Sequence, residues 1–195
     1  MKRIKSNEKF YQDLYRYDER DKTYIIEVSL DEYEDVYDEW DPSPFKKRDI
    51  EDEFDDFIWD SSNDIPLKFK IKIVLYLPMA QKNEVKEKAL REAYDNFYSF
   101  RLIRAFKKQK QIQKKILTYL MMSLTFLYIG YFYSAESGIV MSVLKEGIFI
   151  GGWVFLWEVF TLIFITLGEE RKVFKIVKRL LDTEICFIYS DDSRN

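Results

Sequence analysis

One carboxylate in this sequence sits where a carboxylate is costly. Glu158 is the single charged side chain between Gly147 and Gly168. An acid at the middle of so apolar a stretch costs on the order of 3 kcal/mol to hold in lipid, so it faces a bundle interior or water. Gly147 and Gly151 form a GxxxG pair on the same helical stripe, which continues through Val154, Glu158 and Thr161. Small residues there let helix backbones approach closely. Several readings stay open for Glu158: a protonated acid bonded to a neighbouring helix, an acid nearer an interface, an unremarkable residue, or a pore-lining or ion-sensing group.

A second constellation is basic. Lys68, Lys70 and Lys72 share one face of a strand pattern, and Lys46, Lys47 and Arg48 lie upstream. With aromatic residues nearby for stacking, they could bind a polyanion such as a nucleotide or oligonucleotide. A solvated sheet face has the same composition. Between Asp31 and Asp64 the sequence is acidic, but its spacing matches no calcium loop and it reads as solvated surface. The chain has no histidine and one cysteine, Cys186. That removes Ser-His and Cys-His nucleophile pairs, His-ligated zinc and a disulfide framework. No phosphate-binding glycine loop is present. The expectation is a protein that is not an enzyme and holds neither cofactor nor metal.

The elements that must carry these residues divide sharply by polarity. Charged residues make up 33% of the chain, yet residues 116–135 contain none. At about 1.5 Å per residue, this segment and 147–168 are each long enough to cross a hydrocarbon core of about 30 Å. Arg101, Arg104, Lys107, Lys108, Lys110, Lys114 and Lys115 lead into the first span, where they would also contact anionic lipid headgroups. Arg171, Lys172, Lys175, Lys178 and Arg179 follow the second. The positive-inside rule then places both termini in the cytoplasm, with 136–146 as an outside loop.

The remaining elements form a soluble part. Residues 6–17 have helical spacing at Phe10 and Leu14, and 48–60 repeat Ile50, Phe54, Phe57 and Ile58 as a helix would. Thr23–Leu30 and Lys68–Leu77 alternate as strands, and Thr183–Tyr189 reads as a third. Asn83 is placed to cap a helix running unbroken from Glu84 toward Gly130. Two strands make a poor sheet, so the third is expected to join the first two. The fold expected is an α+β membrane protein: a small β-α-β cytoplasmic domain (1–115, closed by 169–195) interrupted by a two-helix transmembrane hairpin. Charge is segregated along the chain. Residues 1–67 hold 21 acidic and 10 basic side chains, while 68–115 hold 4 acidic and 14 basic.

Trp40-Asp41-Pro42-Ser43-Pro44-Phe45, Arg48-Asp49-Ile50, Ile65-Pro66-Leu67 and Gly151-Gly152-Trp153-Val154-Phe155-Leu156-Trp157-Glu158 resemble segments of a group of small, uncharacterised bacterial two-span membrane proteins. The layout is also loosely similar to channel-forming membrane effectors of anti-phage defence of the Hailong type. That resemblance implies a homo-oligomeric effector of the bacterial inner membrane, an ion channel or pore gated by a cytoplasmic domain that senses a nucleotide or DNA signal. The alternative is a non-conducting membrane adaptor that tethers or regulates a partner protein.

Overall fold

The computed structural model describes residues 11, 14–38, 40–42, 49–132 and 138–190. Its elements are four strands, β1 (Arg16–Asp18), β2 (Thr23–Ser29), β3 (Lys70–Pro78) and β4 (Glu184–Ser190), with three helices, α1 (Asp52–Asp64), α2 (Glu84–Phe132) and α3 (Ile139–Leu181). Short 3-10 turns occupy Tyr33–Val36 and Met79–Gln81. The chain divides into two compact units. One contains the residues up to Leu102 together with those from Lys175 onward, and the other runs from Ile103 to Phe174.

The first unit is a mixed sheet in the order β1-β2-β3-β4. β1 pairs antiparallel with β2, while β2–β3 and β3–β4 are parallel. The register sets Tyr24 beside Ile71, Ile26 beside Ile73 and Ile73 beside Ile185. Because strand side chains alternate, these residues share one face. Tyr24, Ile26, Ile71, Ile73, Leu75, Leu77 and Ile185 are all buried on it. The expected third strand therefore joins the sheet, and it does so as a parallel neighbour of β3. One strand was not anticipated. Of the helix expected over 6–17, Tyr11 and Leu14 are helical and residues 6–10, 12 and 13 lie outside the described residues, but Arg16 and Tyr17, with Asp18, pair with Thr23–Ile25 instead. Pairing with an existing strand edge outweighs local helical spacing in so short a segment.

Helices cover the apolar face. From α2, Ala89, Leu90, Ala93, Tyr94 and Tyr98 are buried at helical spacing, as are Ile176, Val177 and Leu180 near the end of α3. Burying one such Leu or Ile stabilises by about 1.5–3 kcal/mol. Polar contacts fix the helices to each other. Tyr98 donates from its hydroxyl to Asp55 of α1 at 2.7 Å, and Arg101 pairs with the same carboxylate. Tyr94 donates to the Leu180 carbonyl at 3.1 Å. Burial is the main cause that raises both phenols above their ordinary value, with added repulsion from Asp55 and Asp95 on Tyr94 and from Tyr94 and Asp55 on Tyr98. Asn83 caps α2 as its position predicts, its Oδ1 accepting from the Val85 and Lys86 amides at 3.0 and 3.2 Å.

α2 continues for 49 residues without a break, and α3 for 43. Both are long and apolar enough to cross a membrane, with most apolar windows of mean hydropathy 1.3 and 2.1. α3 starts at Ile139, so residues 139–146, expected within a loop, are helical. No Gly or Pro interrupts them, and the break falls at Gly138, whose φ of +90° suits glycine alone. Leu162–Thr166 form a π-helical turn inside α3.

Candidate functional site

Within the second unit, α2 and α3 form an antiparallel hairpin whose close approach is set by two glycines. A Cβ on Gly152 would lie 2.8 Å from Leu127 Cγ and 3.0 Å from the Leu127 amide nitrogen. A Cβ on Gly130 would lie 3.0 Å from that of Phe149. One turn before Leu127, the fully buried Ser123 hydroxyl donates to the Gly152 carbonyl at 2.8 Å. Phe155 packs against Phe126 and Tyr119 with ring centroids 5.6 and 5.7 Å apart. At the other end, Lys108 pairs with Glu170 at 2.6 Å and Gln109 donates to the Glu170 carbonyl at 3.1 Å. Ile112, Leu162 and Leu167 form a small buried cluster beside them.

The stripe expected to pack helices lies mostly off this seam. Gly147 meets nothing within 4 Å, and Val154 is 62% exposed. Gly151 touches the edge of Phe126, where a Cβ would stand 3.2 Å from the ring. Glu158 and Thr161 are half-buried, and the Thr161 hydroxyl donates to the Trp157 carbonyl at 3.2 Å. Glu158 stands twelve residues from Glu170 along α3, about 18 Å of helix. Gly147 and Val154 thus lie off the face that closes the hairpin, whereas Gly151 touches that seam and Glu158 is half-buried.

The basic residues divide among different tasks. Lys46, Lys47 and Arg48 lie outside the described residues. Lys72 pairs with Glu184 of the neighbouring strand at 2.9 Å, which raises the lysine pKa and, chiefly through the same hydrogen bond, lowers that of the glutamate. Lys68 stacks over Phe69 with its ammonium 4.6 Å from the ring centroid. Arg101 and Lys108, expected at the lipid surface, are engaged by Asp55 and Glu170. Lys115 lies over the Tyr119 ring at 5.3 Å, and Arg104, Lys107, Lys110 and Lys114 are exposed.

Lys68 and Lys70 line a groove of about 580 Å³ whose opposite wall is the end of α3. That wall supplies Lys175, Lys178, Arg179 and Asp182. Arg179 anchors it by donating to the Ser62 carbonyl and hydroxyl and to the Ile65 and Pro66 carbonyls at 3.0 and 3.2 Å. Burial pushes its pKa down to about 10, which leaves it cationic at neutral pH. Sequence reasoning used Lys175, Lys178 and Arg179 only to orient the second span. Their sign was visible, but their meeting with Lys68 and Lys70 depends on the turn that leads α3 into β4. Among the described residues no cluster of metal-ligating side chains occurs. Comparison with family models, with curated proteins and with solved structures finds no match to this chain.

Proposed function

We propose that the chain is a two-span protein of the bacterial cytoplasmic membrane, with both termini inside, that assembles into a homo-oligomeric effector gated by its sheet domain. The observation that carries this reading is the pairing of β3 with β4. β3 leads into α2, α3 leads back into β4, and the two strands are hydrogen-bonded neighbours in one sheet. A ligand that shifts this sheet therefore acts on the chain at the start of one apolar helix and at the end of the other. Such a layout links sensing to helix movement within a single chain.

Support for the membrane comes from apolar surface. Only 11% and 17% of the most apolar windows of α2 and α3 are buried. Trp153, Trp157, Phe160 and Phe164 of α3 are 45–75% exposed. Water-facing surfaces seldom carry contiguous apolar patches beyond a few hundred Å². Positive flanks before the first span and after the second support termini on the inside. Two helices cannot enclose a pore, so conduction requires several copies. The stripe from Gly147 through Val154 to the half-buried Glu158 is where copies would meet, because lipid exposure of Glu158 is the costly alternative. A ring of carboxylates there favours cations.

The test is ion flux from liposomes carrying the purified chain, compared with Glu158→Gln. This substitution keeps shape and hydrogen bonding while removing charge. A gated effector should show altered cation selectivity with unchanged assembly. Flux from neither protein under any domain ligand would leave the membrane-anchored adaptor as the reading.

A further inference from the structure

We propose that the groove between residues 67–71 and the end of α3 is a binding site for a phosphate group, carried either by an anionic lipid or by a free phosphate. Its walls carry Lys68, Lys70, Lys175, Lys178 and Arg179 against a single acid, Asp182. Lys70, Lys175 and Lys178 are exposed and form no ion pair with any described residue, while the cations that do pair elsewhere, such as Lys72 and Lys108, have carboxylates within 3 Å. Like charges facing one cavity raise each other's energy, and a multiply charged anion relieves this for all of them at once. The volume falls within the range of about 300–1,000 Å³ typical of small-ligand sites. Leu67, Phe69 and Ile71 add apolar lining.

The end of a helix is ordinarily a poor place for an anion, because its last carbonyls carry partial negative charge. Here three of them are occupied. The Thr183 hydroxyl donates to the Arg179 carbonyl at 2.6 Å, the Tyr94 hydroxyl to that of Leu180, and the Asp182 amide to that of Lys178 at 3.0 Å. Arg179 holds the wall in place through α1 and leaves the lysines to meet the ligand. A lipid source is within reach on chain length alone. Lys175 follows Gly168 by seven residues, which span at most about 25 Å even when fully extended. The lipid source rests on the membrane reading above; the free-phosphate source does not.

The test uses the full chain in two settings. In nonionic detergent, inorganic phosphate and pyrophosphate are titrated and followed by phosphorus NMR. In nanodiscs, phosphatidylcholine alone is compared with phosphatidylcholine containing phosphatidic acid, and retained lipid is read by native mass spectrometry. The double variant Lys70→Gln/Lys178→Gln should weaken phosphate or phosphatidic acid binding about tenfold or more, since each near-surface charge is worth about 1 kcal/mol. Lys70→Arg/Lys178→Arg should restore it, and the exposed pair Lys22→Gln/Lys88→Gln should leave it unchanged. Binding in both settings, or in detergent alone, assigns a soluble phosphate; retention of phosphatidic acid alone assigns a lipid headgroup. No saturable binding in either, or equal binding by the Lys70/Lys178 glutamine variant with unchanged circular dichroism, overturns the proposal.

Discussion

Replacing Gly152 with alanine should separate the two helices of the hairpin, while the same change at Gly147 should not. At Gly152 the new Cβ would sit 2.8 and 2.9 Å from two Leu127 side-chain carbons and 3.0 Å from that residue's amide nitrogen. The leucine side chain can rotate away, but the backbone nitrogen cannot, so α2 and α3 must move apart. Overpacking of this kind costs about 1–3 kcal/mol. The movement would also lengthen the 2.8 Å bond from Ser123 to the Gly152 carbonyl, and a hydrogen bond between helices in lipid is worth about 0.6 kcal/mol. Together these give a loss of about 2 kcal/mol. At Gly147 a Cβ meets nothing within 4 Å, and alanine is the better helix former by up to about 1 kcal/mol. The assay is reversible unfolding of the full chain from mild detergent into dodecyl sulfate, followed by circular dichroism at dilutions that leave single chains. An unchanged midpoint for Gly152→Ala would refute the close approach, and a loss at Gly147 equal to that at Gly152 would show that the seam has been placed on the wrong face.

Two further expectations concern the sheet domain. Asp55 is 4% exposed and is bound by both Tyr98 and Arg101, so Asp55→Ala should destabilise the domain by about 3–5 kcal/mol and Tyr98→Phe by about 1.5–3 kcal/mol in chemical denaturation; equal effects from the two would contradict a shared carboxylate. Burial raises the Tyr94 and Tyr98 phenols, so the folded state holds their protons more tightly than the unfolded state does. Their contribution is intact below the ordinary phenol value near 10.0 and is lost as pH rises above it, at up to about 1.4 kcal/mol per pH unit for each group. An unfolding midpoint that stays level through that range, or one equally steep in Tyr98→Phe, would count against buried phenols.

How much of this was legible in the sequence depends on whether the signal is periodic or positional. The alternation of Ile71, Ile73, Leu75 and Leu77 is a two-residue period with one face to bury, and it fixed both the strand and its buried side. The segment 183–189 could be assigned to the same sheet because a strand following the second apolar helix has few other partners. β1 was missed for the opposite reason. Three residues are too short to show a period, and Arg16–Asp18 becomes a strand only because β2 offers an unpaired edge.

The hairpin shows the same division at finer scale. A glycine pair spaced by four residues marks a helix face that can be approached closely, but it does not say by what. Gly151 and Gly152 are adjacent, and neighbouring residues in a helix point about 100° apart. Either phase is consistent with the sequence of α3 alone. The choice is made by α2, where Ser123 offers a hydroxyl to the Gly152 carbonyl and Leu127 fills the space above its Cα. The groove escaped for a related reason: Lys70 and Lys178 are 108 residues apart, and only the parallel pairing of β3 with β4 sets them on one cavity. Period is a property of one segment, whereas phase and convergence are properties of pairs. This is why the positions that would carry function here, a half-buried Glu158 on the apolar hairpin and the lysines on two walls of one groove, become arguable only once the partner of each segment is known.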